Sequence, residues 1–433
     1  MKYFSLNHNS QDVSFLDAVR KGLAPDRGLY FPNEIPKLPE VFYNNIKNFS
    51  NHDIAFQVIK PFVGDDIPVD RLRKIVEDTL NFDFPIVPIT ETMATLELFQ
   101  GPTLAFKDVG ARFMARCLSY ANEVKKTDKL TILVATSGDT GGAVADGFYK
   151  VEGIQVVILY PKGKVSEIQE KQLTTLGENI TAIEVNGTFD DCQDMVKSAF
   201  IDADLIRSMP LTSANSINIA RWLSQMFYYF IAFKNRITPD KKLAVSVPSG
   251  NFGNICAGLV AKEMGLPIDQ FIASTNINDT VPNYLNSGTY SPKKSKPTLS
   301  NAMDVGDPSN FIRIQKLFNN DIFKLKKILK GYHYTDSQTK KAIKEIYEIS
   351  GYIADPHGAI GYLGLKEFLE STSDAYQGLF FETAHPIKFV ETVENTLKTS
   401  IEVPERLKGI LNRKKESVSI QTYEQLKSFL LES

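Results

Sequence analysis

The sequence predicts an α/β protein built on largely parallel sheets, and three observations carry that expectation. From Leu130 onward, short β-rich runs alternate with helical patterns: LTILVA, QVVILY, ITAIEV, LAVSV, FIAST and, much later, GLFFE. Strands separated by helices need crossover connections, which give parallel sheets covered on both faces. Two of the strand ends run into glycine-rich turns that open helices, the place where such sheets bind ligands. With 43% hydrophobic and 23% charged residues and no apolar run of membrane-spanning length, the chain has the composition of a globular protein.

At 433 residues the chain exceeds what one core usually serves, so more than one lobe is expected. Residues 1–93 read as a mainly helical lobe: SFLDAVRKGL is amphipathic and ends at the turn-rich APDRGLYFP, and VFYNNIKNF and VDRLRKIVEDTL continue the helical spacing. Residues 94–240 and 241–433 read as two α/β lobes, the second closing with a polar connector after Leu397 and a final helix, QTYEQLKSFLLES.

The stretch from Leu96 to Leu118, LELFQGPTLAFKDVGARFMARCL, is where chemistry is first expected. A strand-like segment is broken by Gly101 and Pro102, and a helix opens near Asp108, where a carboxylate suits the positive helix end. Lys107 sits at that hinge between apolar neighbours, so its ammonium loses hydration and its nucleophilic neutral form becomes easier to reach. Such a lysine can form a Schiff base. Judged on this stretch alone, a surface lysine snorkelling from a helix end is the simpler reading.

The two glycine-rich turns are TSGDTGG, Thr136 to Gly142, and PSGNFGN, Pro248 to Asn254. Glycine allows close backbone approach, and the first N–H groups of a helix have no internal partner, so an anion is the natural guest. Hydrogen bonds to a charged group contribute roughly 1.5–3 kcal/mol each, so three or four amides hold a phosphate without an arginine. Either turn alone serves equally well as simple strand-to-helix punctuation. Neither has the spacing of a Walker loop or dinucleotide fingerprint, which argues against a nucleotide.

The 49 basic and 51 acidic residues leave a charge of −2, too balanced for a nucleic-acid surface. No membrane association is expected. Cys117, Cys192 and Cys256 are scattered and the five histidines lack ligand spacing, so no metal site or disulfide framework is expected. These features, with no visible leader, fit a cytoplasmic protein. Trp222 follows helical spacing with Met226 and Tyr229 and reads as core, and TYSPKKSKP, Thr289 to Pro297, as an exposed basic turn at the edge of a site.

A hinge lysine, a downstream phosphate cradle and a third strand end at Glu382-Thr383-Ala384-His385-Pro386 together suit an aldehyde, a phosphate and a polar ring nitrogen, the three handles of pyridoxal phosphate. Here the chain resembles the threonine synthases, pyridoxal-phosphate enzymes of fold type II (tryptophan synthase beta-like), in their long microbial and fungal form. The motifs that carry the resemblance include SFLDAVRKGL with GLYFP, LELFQGPTLAFKD, TSGDTGGAVA, LYPKGKVSEIQEKQL, SANSINIARW, VPSGNFGN, STNINDTVP, LSNAMDV, DPHGAIGY and TAHPIKF, running in family order from about Ser14 to Phe389.

The resemblance implies that Lys107 holds the cofactor as a Schiff base and that Gly250, Asn251, Phe252, Gly253 and Asn254 cradle its phosphate. It sets the Thr383 hydroxyl near the ring nitrogen and Asp139 near the phenolic side. Enzymes of the wider fold often carry Asn at that last position, so an acid there must be protonated, paired or turned away. Gln100 stands where many close relatives have His. The implied reaction converts O-phospho-L-homoserine and water to L-threonine and phosphate, by a monomer or homodimer.

The substrate's phosphate needs a second anion site. Ser137, Thr140 and Arg112 rank first for it, ahead of Lys162, Lys164, Asn215 and Ser216, although Arg112 and Arg116 also fit one solvated helix face. Two other readings stay open. One is a dehydratase or phospho-lyase with the same cofactor that releases a keto acid; the other is a non-catalytic binding protein on the same scaffold, which the intact Lys107 and SGNFGN disfavour.

Overall fold

The structure is a computed structural model that describes residues 1–125 and 129–432. Its strands, in chain order, are β1 (Tyr3–Ser5), β2 (Tyr30–Pro32), β3 (Ile86–Pro88), β4 (Met93–Glu97), β5 (Leu130–Ala135), β6 (Ile154–Pro161), β7 (Ile180–Val185), β8 (Leu211–Thr212), β9 (Lys242–Pro248), β10 (Gln270–Thr275), β11 (Leu329–His333), β12 (Tyr376–Glu382) and β13 (Val418–Ile420). They form a small antiparallel β1–β2 ribbon and two larger sheets, ordered β11-β10-β9-β12-β4-β3 and β13-β7-β6-β5-β8. Every pairing in the larger sheets is parallel except β3 with β4.

Strands β5 and β10 are buried at every position and β7 at every position but Thr181, as sheets covered by helices on both faces require. The lobe boundaries expected at 94 and 241 cut across the strand pairing. β4 lies beside β12, with Thr95 opposite Phe380, so the strand leading to Lys107 belongs to the sheet built mainly from residues beyond 241. In the opposite sense, β13 near the C-terminus completes the sheet of β5–β8 by pairing with β7. Helix Lys107–Lys125 passes from the first sheet to the second and buries Val109, Phe113, Met114 and Leu118.

The N-terminal segment packs on this frame through capped helices. Ser14 and Ser50 accept hydrogen bonds from the Asp17 and Asp53 amides and start helices Phe15–Lys21 and Asn51–Val63. Trp222 is fully buried, stacked on Phe31 with ring centroids 5.6 Å apart, as its helical spacing predicts. The three cysteines are buried and unpaired with one another. Among the described residues no helix is long and apolar enough to cross a membrane.

Candidate active site

Lys107 is held by a turn that the neighbouring strand end locks in place. After β4, Leu98 N donates to Glu382 O (3.0 Å) and Phe106 N to Thr383 O (2.9 Å), and His385 N donates back to Leu104 O (3.1 Å). Gly101 allows the turn to close: a Cβ there would lie 2.4 Å from Asp108 Oδ2. Asp108 in turn accepts from Thr103 N at 2.9 Å and from the Thr103 hydroxyl, and burial pushes its carboxyl up to about 6. The Tyr228 hydroxyl donates to Phe106 O from below. These contacts fix the first residue of helix Lys107–Lys125 and leave its amine facing a cavity of about 490 Å³.

The Lys107 ammonium is brought down to about 8, first by burial, with Asp139 opposing the shift and the cations Arg221 and Lys388 adding to it. A lysine at that value is partly neutral near neutral pH and is able to act as nucleophile or base.

Across the cavity, β9 ends at Pro248 and helix Gly253–Glu263 begins. Among the described residues, the main-chain N–H groups of Gly250, Asn251, Phe252, Gly253 and Asn254 donate to no protein acceptor. Phe252 holds a left-handed conformation (φ 60°), and Gly250 packs so closely on the Asn301–Met303 turn that a Cβ would sit 2.7 Å from Ala302 O. Side chains brace the loop: Asn254 Nδ2 donates to Pro248 O (2.8 Å), and Asn251 Oδ1 accepts from Ser309 N (3.0 Å). Five free amides at the mouth of a helix suit a phosphate dianion.

The other glycine loop faces the same space. Thr136 Oγ1 accepts from Gly138 N (2.9 Å) and Gly141 N (2.8 Å), which turns Ser137 and Thr140 into the cavity wall. Asp139 opens helix Asp139–Phe148 and is paired: Lys388 Nζ lies 2.7 Å from Oδ1, and Gln169 Nε2 donates to the same oxygen at 3.0 Å. Burial pushes this carboxyl up, but Lys388 and Lys107 hold it well below the usual carboxylate range. Of the three options for an acid at this position, the molecule adopts pairing. Thr383, one residue past β12, also lines the cavity, and its hydroxyl has no protein partner among the described residues.

Lys107, Ser137, Asp139, Thr140, Gly250–Asn254 and Thr383 therefore come together on one cavity, with Asn215 and Ser216 beside them. Arg112 does not join them. Its guanidinium turns away, donating to Asp78 O (2.7 Å) and Asn81 Oδ1 (3.0 Å), and it lies 3.7 Å from Asp146. Lys162 is also elsewhere, paired with Glu184 at 3.0 Å, and Gln100 donates to Glu97 at 2.6 Å.

Sequence reasoning missed Arg221, Lys388 and His357. Arg221 is almost wholly buried, lines the cavity, donates to Ala214 O and keeps an Nε without a partner; burial brings it down to about 10. His357, rather than His385, is the cavity histidine, with Nδ1 2.6 Å from Asp355 Oδ1 and Nε2 accepting from Ala302 N (3.3 Å). Both Arg221 and Lys388 lie inside motifs quoted above, INIARW and HPIKF, which was the signal available for them. Lys293 and Lys294 of the basic turn line the mouth, at the edge where TYSPKKSKP was expected.

Comparison with known proteins gives this cavity a family. Residues 90–375 match the family model described as pyridoxal-phosphate dependent enzyme, residues 2–80 the threonine synthase N terminus and residues 358–430 the threonine synthase C-terminal region. The chain is 45% identical to threonine synthase of Buchnera aphidicola subsp. Acyrthosiphon pisum, with both chains covered in full. The chain belongs to the threonine synthase family. It is also 44% identical to the Escherichia coli K12 enzyme, with 94% of each chain covered. The crystal structure of Escherichia coli threonine synthase superposes with a TM-score of 0.93 at 41% identity, covering 100% of both chains. The pyridoxal-phosphate-bound threonine synthase of Brucella melitensis gives 0.93 at 33% identity, covering 100% of this chain and 99% of that one.

As a member of the threonine synthase family, the protein is a pyridoxal-phosphate enzyme of fold type II that functions in threonine biosynthesis. The residues present fit that cofactor. The free amides of 250–254 suit its phosphate, the low-lying Lys107 amine its aldehyde, and the unpartnered Thr383 hydroxyl its ring nitrogen.

Proposed function

We propose that this enzyme converts O-phospho-L-homoserine and water to L-threonine and phosphate. The observation that carries the reading is that the cavity lined by Lys107 offers, besides the unpartnered amides of 250–254, further anion donors in Arg221, with its unpaired Nε, Ser137 and Thr140. One group is used by the cofactor's phosphate. A second, centred on a buried arginine with an unpaired Nε, suits a substrate that brings a phosphate of its own.

When bound, pyridoxal phosphate supplies the electron sink for negative charge at the substrate's carbons. Lys107 Nζ, first the attachment point, is then the base that removes a proton from Cα and one from Cβ, which expels phosphate from Cγ. The same amine returns protons at Cγ and Cα, while water adds its hydroxyl at Cβ and its remaining proton balances the one taken up by the expelled phosphate. Gly250, Asn251, Phe252, Gly253 and Asn254 hold the cofactor's phosphate. Thr383 offers the ring nitrogen a neutral partner, and Asp139, occupied by Lys388, fixes the phenolic side. Arg221, Ser137 and Thr140 bind the substrate's phosphate and orient it for departure; Arg112, engaged with Asp78 and Asn81, takes no part.

Incubation of the purified enzyme with O-phospho-L-homoserine is expected to release threonine and phosphate in equal amounts. Phosphate with 2-oxobutanoate and no threonine would instead make it a phospho-lyase. Arg221→Gln removes the buried cation and is expected to raise KM for O-phospho-L-homoserine about 10- to 100-fold, the worth of one charge-assisted hydrogen bond of roughly 1.5–3 kcal/mol. An unchanged KM in steady-state kinetics would remove Arg221 from the substrate site.

A further inference from the structure

Two lysines approach one buried carboxylate, and the competition between them has a definite winner. Lys388, on the turn Pro386–Phe389 that follows Thr383, is fully buried, lies 2.7 Å from Asp139 Oδ1 and donates to Thr103 O at 2.9 Å. Thr103 O is also bound by Gln172 Nε2 (3.0 Å), so the anchor that orients Lys388 is itself anchored. Lys107 senses the same carboxylate through space, yet among the described residues it makes no ion pair within 4.0 Å. The charged groups acting on Lys107 come from three elements: Asp139 from helix Asp139–Phe148, Arg221 from helix Ile219–Leu223 and Lys388 from the turn after β12. Asp108, next in its own helix, is occupied by Thr103, and His357 across the cavity is engaged with Asp355 and Ala302.

We propose that Lys388 is a positioning residue for Lys107: by occupying the Asp139 carboxylate it withholds a counter-ion from the reactive amine and lets that amine lose its proton in the working range. A buried carboxylate without Lys388 turns to the nearest remaining cation, and a lysine given such a partner keeps its proton. An aspartate at this position therefore needs a second lysine, and the strand end that supplies Thr383 also supplies it. The inference uses the reading of Lys107 as the reactive amine, and the experiment below measures that amine directly, whether or not it carries the cofactor.

The test is the pH dependence of Lys107 acetylation by trace acetic anhydride in the full-length, cofactor-depleted chain, followed by peptide mapping, with circular dichroism as the check on folding. The wild-type midpoint is expected at about 8. Lys388→Met should raise it by at least one unit, so that the neutral fraction at pH 7 falls about tenfold. Asp139→Asn should lower it, because the opposing carboxylate is gone. The double variant, which deletes both charges and leaves neither buried alone, should return within about half a unit of wild type. If Lys388→Met does not fold, the opposite shift in Asp139→Asn and its reversal in the double variant decide the matter. An unmoved midpoint in Lys388→Met, or in Asp139→Asn where that is the single variant measured, overturns the proposal. So does a double variant displaced as far as the single one, the result a merely structural Lys388 gives.

Discussion

Lys107→Ala is expected to lose the visible absorbance of enzyme-held pyridoxal phosphate after dialysis and to lower threonine formation by roughly 10³-fold or more. The size follows from the two uses of a single amine. In the proposed reaction it supplies the covalent attachment and acts as the base, presented to the cavity by a turn held by Leu98, Phe106 and His385 backbone bonds. General acid–base assistance alone is worth about 10²–10⁴-fold. Alanine keeps the helix and the cradle, so the variant should fold and still take up cofactor weakly through its phosphate. Borohydride reduction of the wild type, followed by peptide mapping, should find the adduct on Lys107. An adduct on another lysine, or a Lys107→Ala protein that keeps both absorbance and turnover, would refute the assignment. Activity should also fall as pH drops below about 8, because protonation removes the nucleophile when Lys107 is free; the sign reverses if an acid is the group in control.

The parts of this site that were legible in the sequence are those whose signal is local. Glycines at a strand end, a lysine one residue before a helix-opening aspartate and a run such as LAVSV before PSGNFGN each carry their meaning within about ten residues. The six runs read as strands from Leu130 onward correspond to β5, β6, β7, β9, β10 and β12. What stayed hidden depends on partners far along the chain. β8 and β13 are two and three residues long and exist through pairing with β5 and β7, and β11 is an edge strand in which only Leu329 is buried. Arg112 and Arg221 both lie on helices among apolar residues, and no spacing rule says which guanidinium faces a cavity. The first finds Asp78 and Asn81 on neighbouring segments and lies off the cavity, whereas the second lines it. The pairing of Asp139 with Lys388 spans most of the chain, so the sequence left the state of that acid open while the fold resolves it.

Gly250→Val should cut the affinity for pyridoxal phosphate by about 100-fold or more while leaving the affinity for pyridoxal nearly unchanged. The position has no positive φ, so the cost is a collision and not backbone strain. A Cβ would meet Ala302 O at 2.7 Å and Met303 Cα at 2.9 Å, both backbone atoms that cannot swing aside, and the two extra methyls of valine deepen the clash. The loop has to withdraw from the Asn301–Met303 turn, and the amides that follow it lose their common focus. Losing two hydrogen bonds to a dianion costs roughly 3–6 kcal/mol, about 10²–10⁴-fold in affinity. Pyridoxal lacks the phosphate but keeps the aldehyde, so Lys107 reacts with it in wild type and variant alike. Titrating both compounds into cofactor-free protein and following the visible band separates the two effects. Equal weakening toward both would point to a collapsed cavity, and an unchanged preference for the phosphorylated form would mean that the phosphate is held somewhere other than at residues 250–254.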